Sequence, residues 1–436
     1  MKVTINKQIL RLAIPNILTN LSVPLLSSVD TAVVGHLDKV YYLGAIAIGS
    51  MIFNFIYWGL GFLRMGTTGL TSQAFGQSND KEISLNLFRP LTVAIISGLL
   101  LVLFQFFIAE FAFYIINATP EVENFAKKYF YIRIYAAPAT LAIYVFHGWF
   151  LGLQNARFPM IILITVNLLN IIFNLLFIYQ FDMKSNGVAL GTVVAQYSGL
   201  LISIILLSSS YKKYLKNFSM SELFNLTKLK TFFKVNTDIF IRTLSLVFVF
   251  SFFTAESAVH GDEILAANTI LLQLWVILAY SVDGFAFAAE SLVGKFIGAK
   301  DKVNLVKSIK YIFVWGIGLG LFFTLLYSFG GNQIISIYTN NESVISLALS
   351  LLFWAVISQL INSVSFIWDG IYIGATATSA MRNSMLLSTL LVFLPAYFIL
   401  KESYGNSALW LALVLFMASR ALFLTVLAKK NIFSKI

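Results

Sequence analysis

Long apolar runs follow one another along almost the whole chain, and they constrain its fold more than any other feature. A helix needs about 20 apolar residues to cross the hydrocarbon core of a bilayer. Inside lipid, every backbone polar group must also find its partner within the protein, which favours helices. The sequence therefore predicts an all-α integral membrane protein with about twelve transmembrane helices, near residues 9–34, 43–74, 90–115, 125–154, 159–181, 187–208, 233–258, 264–296, 307–330, 343–375, 380–400 and 406–428.

Composition supports the same class. Of the 436 residues, 59% are hydrophobic and 11% are charged, whereas a soluble domain carries about 25% charged residues. The net charge of +11 does not indicate nucleic acid, because the basic residues are scattered between apolar runs. The lipid bilayer is the expected partner. The chain has no cysteine, which excludes disulfide and thiolate chemistry.

The distribution of lysine and arginine predicts the orientation. Cytoplasmic loops carry an excess of these residues, and an even number of spans puts both termini on one side. Most basic residues fall in loops on the side of the termini. We therefore expect a multi-pass protein of the plasma (inner) membrane with both termini cytoplasmic. The basic loop residues on the opposite side are only Lys39, Lys127, Lys128, Lys184 and Lys401.

The longest polar connection, residues 211–234, lies at the midpoint of the predicted spans. Its basic, partly amphipathic sequence fits a segment on the anionic inner leaflet, and equally a plain cytoplasmic linker. It predicts an N-terminal lobe at 1–208, a linker loop at 209–232 and a C-terminal lobe at 233–436.

The two halves also match each other at an offset of 222 residues, with low identity but paired glycines. Each half has six predicted spans, so both copies enter the membrane in the same sense. We expect two six-helix lobes, an arrangement found in transporters that bind substrate between parallel repeats. The paired glycines are Gly76 with Gly298, Gly148 with Gly370, and Gly152 with Gly374.

Ionisable residues inside spans are costly, and each is a candidate functional residue. Asp238 and Arg242 are four residues apart on one helix, which predicts a structural ion pair. Arg64 and Arg420 are interpreted as partners for carboxylates or as groups that reach the membrane surface. The candidates are Asp30, Arg64, Arg133, Asp238, Arg242, Glu256, Asp283, Glu290, Asp369 and Arg420.

Asp30 is the most isolated of these carboxylates and lies in the outer part of the first span. It either lies near the outer headgroups or faces a polar cavity in the N-terminal lobe. In the fifth span, Asn167, Asn170 and Asn174 share one helix face. Such a face joins helices in membranes more often than it binds a ligand. A titratable group opposite it favours a functional site.

Several stretches in order resemble the multidrug and toxic compound extrusion (MATE) family, in its DNA-damage-inducible F branch. The resemblance covers nearly the whole chain and implies a V-shaped fold of two lobes. It also implies an antiporter, without enzymatic activity, that exports amphipathic, often cationic compounds against inward flow of H⁺ or Na⁺. The stretches are IPNILTNLSVPLLSSVDTAVVGHL, LGLQNARFPM, NIIFNLLFI and NGVALGTVVAQ in the first half, and VNTDIFIRTLSL, LAANTILLQLW, DGFAFAAESLVGKFIGAKD and WDGIYIGATATSAMRNSM in the second.

The resemblance places the proton or sodium site of the N-terminal lobe at Asp30, Asn170 and Thr192. Two positions of this lobe depart from the family pattern. Asn174 replaces a frequent aspartate, and His147 replaces a frequent asparagine. Because histidine changes charge near physiological pH, His147 is either a titrating partner of Asp30 or a neutral hydrogen-bonding group.

In the C-terminal lobe, the resemblance implies cation binding at Glu256 and Asp369. If Na⁺ rather than H⁺ is the coupling ion, its site is expected at Asp30 or at the Glu256/Asp369 pair, and the sequence leaves open which lobe couples. No cofactor is expected other than the coupling ion, and the chain is expected to be a monomer.

Three other classes fit less well. A lipid-linked saccharide flippase of the same superfamily is the alternative, but it would need an intramembrane excess of basic residues for pyrophosphate. A channel would need a polar pore or a filter repeated around an axis. An enzyme is excluded because the sequence lacks a glycine-rich phosphate loop and a paired metal-ligand motif.

Overall fold

The computed structural model describes residues 4–35, 39–116, 118–215 and 220–435; within the helices, the side chains of residues 23–34, 40, 220–221 and 435 lie outside this description. In the described ranges the chain forms eighteen α-helices and no strand, which confirms the predicted all-α fold. The helices are α1 Ile5–Gly35, α2 Val40–Leu60, α3 Phe62–Gly76, α4 Asp80–Leu103, α5 Gln105–Ile115, α6 Pro120–Arg133, α7 Ala137–Gly152, α8 Arg157–Tyr179, α9 Lys184–Ser210, α10 Lys212–Leu215, α11 Met220–Leu223, α12 Leu226–Val259, α13 Asp262–Gly298, α14 Lys302–Tyr338, α15 Glu342–Gly374, α16 Thr378–Leu387, α17 Leu394–Tyr404 and α18 Asn406–Asn431.

Eleven helical stretches within the described residues are long and apolar enough to cross a membrane. Three of them join two helices: α2 with α3, α6 with α7, and α16 with α17. Helix α1, with 31 residues, lies at the position of the first predicted span. Between α16 and α17 the chain forms a π-helical turn, Ser388–Phe393. Pro395 follows it and has no N–H to donate to the preceding turn, which explains the widened helix there.

The helix boundaries confirm the internal repeat. Five helix ends in the first half each have a counterpart 222 residues later in the second half. This agreement extends from helix α2 to helix α15. The paired boundaries are Val40 with Asp262, Gly76 with Gly298, Asp80 with Lys302, Pro120 with Glu342, and Gly152 with Gly374.

The turns between repeated helices also match in detail. Ser78 and Lys300 occupy equivalent positions and have φ values of 54° and 53°, a conformation in which non-glycine residues are uncommon. In the next position, the side chains of Asn79 and Asp301 both cap the helix that follows, accepting from the backbone N–H three residues later. The two halves therefore share local geometry despite their low identity.

Two glycines explain how the repeated helices pack so closely. A Cβ atom at Gly148 would lie 2.3 Å from the backbone oxygen of Arg64. At the equivalent place in the second half, a Cβ atom at Gly370 would lie 2.3 Å from the backbone oxygen of Ala286. Only glycine permits this approach, so each half packs one span directly against the backbone of another.

The chain divides into two compact units. The first unit comprises Leu18–Phe232. The second comprises the chain up to Ile17 together with the chain from Phe233 onward. Helix α1 therefore begins in the second unit and continues in the first.

Described parts of the predicted linker are bonded to helix α4 within the first unit. Ser84 Oγ donates to the backbone oxygen of Tyr214 at 2.5 Å. Arg89 is only 4% exposed. Its Nη2 donates to the backbone oxygen of Glu222 at 3.0 Å, and its guanidinium forms an ion pair with Glu82 at 3.2 Å. These contacts fix α10 and α11 against protein at the end of α4.

Candidate functional site

A buried polar network joins helices α8 and α9 in the first unit. Asn174 donates from Nδ2 to Asn170 Oδ1 at 3.1 Å, and Asn170 donates from Nδ2 to Thr192 Oγ1 at 3.0 Å. Thr192 in turn donates to the backbone oxygen of Val188 at 2.9 Å. Asn170 and Asn174 are 3% and 1% exposed, so their amides are withdrawn from solvent.

Local sequence explains why these side chains meet. Asn170 and Asn174 are four residues apart and therefore share one face of α8. On α9, a Cβ atom at position 191 would lie 2.1 Å from Asn174 Oδ1, so Gly191 provides the room for the amide. The network thus places three of the five residues expected for the N-terminal site in contact.

The asparagine face also reaches helix α1. Asn167 donates from Nδ2 to Ser22 Oγ at 3.1 Å, and Ser22 Oγ donates to the backbone oxygen of Thr19 at 2.7 Å. Asp30 lies eight residues beyond Ser22, about 12 Å farther along the same helix. Its side chain lies outside the described residues, so the role of Asp30 stays a prediction.

His147 lies apart from this network. It is on α7, next to the glycine that packs against the backbone of Arg64 on α3. Among the described residues, its buried Nε2 has no hydrogen-bond partner. No hydrogen bond joins His147 to Asn170, Asn174 or Thr192 in the described part of the chain, so its participation in the site also stays a prediction.

In the second unit, Asp369 on α15 lies between two arginines. Arg420 on α18 donates from Nη2 to Asp369 Oδ2 at 2.7 Å, and Arg242 on α12 contacts the same oxygen. The three residues are 5%, 1% and 7% exposed, respectively. Two guanidinium groups around one carboxylate leave the cluster positively charged, an electrostatic environment that opposes a bound cation.

The predicted ion pair between Asp238 and Arg242 is wrong, because each residue has a different partner. Asp238 accepts from Arg382 Nη1 at 2.5 Å, and its other oxygen accepts from Thr378 and Ser379. These partners lie in the first turns of α16, where the helix dipole favours a carboxylate. Asp238 is 1% exposed, and a buried charge requires several bonds of this kind.

Glu256 and Asp369 lie at separate places in the second unit. Glu256 accepts a hydrogen bond from the Tyr397 hydroxyl on α17 at 2.6 Å. Arg242, the partner of Asp369, is fourteen residues earlier on α12, which is about 21 Å along the helix axis. The structure therefore does not bring the two carboxylates together. Within the described residues, no group of three or more His, Cys, Asp or Glu side chains could hold a metal ion.

Four residues that complete these sites carry no role predicted from the sequence patterns. Arg382, Thr378 and Ser379 bind Asp238, and Tyr397 binds Glu256. In the sequence, Arg382 is one of the basic residues on the side of the termini. The sequence does contain a pattern that could have predicted this role. Thr378, Ser379 and Arg382 lie within about one helical turn, and two hydroxyl groups beside an arginine are suited to bind a carboxylate.

Two helical units with matching repeats, each with polar side chains buried between its spans, define a membrane transporter. The chain belongs to the MatE family, whose model matches residues 15–176 and again residues 239–398. It is a multi-pass membrane protein of the MATE transporter class, which is not a class of enzymes.

The chain is also similar to individual members of this class. The chain is 37% identical to DNA damage-inducible protein F of Escherichia coli (strain K12), over 98% of this chain and 92% of that protein. It is 26% identical to a probable multidrug resistance protein NorM of Photorhabdus laumondii, over 97% of this chain and 95% of that one. Among solved structures, a crystal structure of MATE in the bent conformation has the same fold, with a TM-score of 0.90 and 18% identity over 99% of this chain and 96% of that chain.

Proposed function

We propose that this protein is a cation-coupled antiporter that exports amphipathic toxic compounds by alternating access of its two lobes. Membership of the MATE family and the similarity to a probable multidrug resistance protein support this function. We also propose that it resides in the plasma (inner) membrane with both termini cytoplasmic, as the loop charges indicate.

The observation that carries the coupling proposal is the buried network of Asn170, Asn174 and Thr192. These groups offer oxygen and amide ligands in a region withdrawn from water, in the unit that contains Asp30. Loading a proton or Na⁺ at Asp30 would remove or neutralise its charge. Because an isolated charge is costly in a low-dielectric region, the loaded and empty forms differ in the free energy of closing the cavity.

This free-energy difference is what coupling requires. A ligand can shift a conformational equilibrium only by as much as its affinity differs between the two states. An ion that binds at Asp30 in the outward-open state and leaves in the inward-open state would drive export in the opposite direction. In the second unit, the arginines around Asp369 favour a structural role for that carboxylate.

The test is transport of a fluorescent amphipathic cation into inverted membrane vesicles under separately imposed pH and Na⁺ gradients. We expect one gradient to drive accumulation, and Asn170→Ala to reduce it at equal protein level. Asn332→Ala, at an exposed asparagine on α14, is the matched control and should leave transport unchanged. If the wild-type vesicles accumulate the same amount of dye with and without either gradient, the proposal is contradicted.

A further inference from the structure

Arg133 at the end of helix α6 is an intramembrane cation that has no acidic partner within the described residues. No carboxylate among the described residues forms an ion pair with it, whereas Arg242 and Arg420 in the other unit share Asp369. Its partners among the described residues are neutral: Nη1 donates to Ser50 Oγ at 3.0 Å and to the Tyr129 hydroxyl at 2.6 Å.

The charge is not balanced elsewhere in the interior of the first six spans. Among the ionisable candidates in the predicted spans of this half, Asp30 is the one carboxylate beside Arg64 and Arg133. Glu110, near the end of the third predicted span, is exposed on α5 and forms no ion pair with a described residue. Burying a cation inside a membrane costs free energy, and such a group is usually paired with an anionic group.

The guanidinium is held in a fixed orientation. Its central carbon lies 4.9 Å from the ring centroid of Phe53 on α2 and 5.6 Å from that of Tyr129. With Nη1 bonded to Ser50 and Tyr129, the opposite edge consists of the Nε and Nη2 donors. Neither donor bonds a described residue. Because Nε is buried, Nη2 is the donor that an approaching carboxylate or other oxyanion can reach first.

The surroundings select the kind of anion. Phe53 stacks on Tyr57 and Phe130 with centroids 5.8 and 5.3 Å away, so the guanidinium lies beside a cluster of aromatic rings. Arg133 itself is only partly exposed. A small inorganic anion would lose its hydration there with little in return. An organic acid can place its apolar body against the rings and its acid group on the guanidinium.

From this geometry we infer that Arg133 binds the acid group of exported compounds. Amphipathic substrates that carry an acid group would then be held at this residue through that group. This inference rests on the proposed efflux function. It adds a specificity-determining residue in the first unit, on helices separate from the α8–α9 network.

The test uses two dyes that differ in one group. Rhodamine 110 has a free carboxylate, and rhodamine 123 is its methyl ester. Binding to purified full-length protein is measured by fluorescence anisotropy, and export is measured in inverted vesicles. We expect the wild type to bind the free acid more tightly than the ester. Arg133→Gln should weaken acid binding about tenfold, close to 1.4 kcal/mol, and leave ester binding unchanged. Arg133→Lys should retain part of the preference.

Two variants separate recognition from stability and from bulk charge. Lys128→Gln removes an exposed cation from the same helix and should leave the acid-to-ester ratio at the wild-type value. Ser50→Ala removes the bond between α2 and Arg133 but keeps the charge, so it should retain the preference. Inorganic phosphate should not displace the free acid.

The outcomes are distinct. If the wild type shows no preference for the acid, or if Arg133→Gln leaves the ratio unchanged, the inference is overturned although the efflux function stands. If Ser50→Ala and Arg133→Gln lose acid and ester binding equally, Arg133 only joins α2 to α6. If the wild type exports neither dye under any gradient, it is the proposed efflux function that fails.

Discussion

Arg420 and Asp369 form a buried ion pair at 2.7 Å, although 51 residues separate them in the chain. Arg242 contacts the same carboxylate oxygen from helix α12. Asp369 therefore joins α12, α15 and α18 in the second unit. Ionisable residues within spans are candidates for ion coupling, but these contacts favour a structural role for Asp369.

We expect Asp369→Asn to destabilise the protein strongly. The substitution leaves two buried guanidinium groups without their shared carboxylate, and breaking a buried ion pair in this way costs on the order of 3–5 kcal/mol. Thermal unfolding of the purified protein in detergent measures the effect. Glu256→Gln is the control, because Glu256 is less buried and its partner is the neutral Tyr397 hydroxyl. Equal Tm values for Asp369→Asn and the wild type would contradict this role.

A double-mutant cycle tests which partner belongs to Arg242. Arg242→Met and Asp369→Leu should be non-additive, with a coupling free energy of about 0.5–3 kcal/mol, as found for residues in contact. Arg242→Met and Asp238→Leu should be nearly additive, because Asp238 binds Arg382 instead. The measurement is the free energy of unfolding for each single and double variant. A coupling free energy found only between Arg242→Met and Asp238→Leu would instead support the ion pair expected from helical spacing.

Gly370→Ala should destabilise the second unit. The new Cβ atom would lie 2.3 Å from the backbone oxygen of Ala286, and crowding of this kind typically costs about 1–3 kcal/mol. Gly318→Ala is the matched control, because nothing lies within 4 Å of a Cβ atom there. At that site alanine should be neutral or slightly stabilising, since glycine is the weaker helix former. Comparable Tm changes in the two variants would refute the close packing.

Asp30→Asn should abolish coupled export while the protein remains folded and inserted. The variant keeps the shape of the side chain and removes the charge that a proton or Na⁺ would neutralise. Export is measured in inverted vesicles at matched protein level, with gel filtration as the check on folding. Glu256→Gln provides the comparison in the other lobe. Normal coupling in Asp30→Asn together with loss in Glu256→Gln would assign coupling to the C-terminal lobe.

Topology can be tested directly because the chain has no native cysteine. Thr227→Cys and Asn340→Cys introduce single thiols at exposed positions in the linker-proximal turn of α12 and in the loop between α14 and α15. A membrane-impermeant maleimide should label Asn340→Cys in intact cells and Thr227→Cys only after the membrane is opened. Labelling of both from the same side would disprove the predicted orientation.

The sequence by itself determined the spans, the repeat and one polar network. Length and apolarity are local properties, so each predicted run coincides with one helix or with two consecutive helices, and only α10 and α11 among the described helices match no run. The glycine pairs identified the repeat. Where two helix backbones lie too close for a Cβ atom, both copies of the repeat need glycine at that position. Asn170 and Asn174 were recognisable as a unit because helical spacing alone puts them on one face.

Only the tertiary structure decided the partners of the buried charges. Helical spacing predicted that Asp238 would pair with Arg242, yet spacing states only which residues share a face. The final partner depends on which neighbouring helix presents a better-placed group. Arg382 and Asp369 come from helices more than a hundred residues away, and their position relative to α12 follows from packing. A buried charge takes the partner that satisfies most of its hydrogen bonds, and that choice exists only once the helices are assembled.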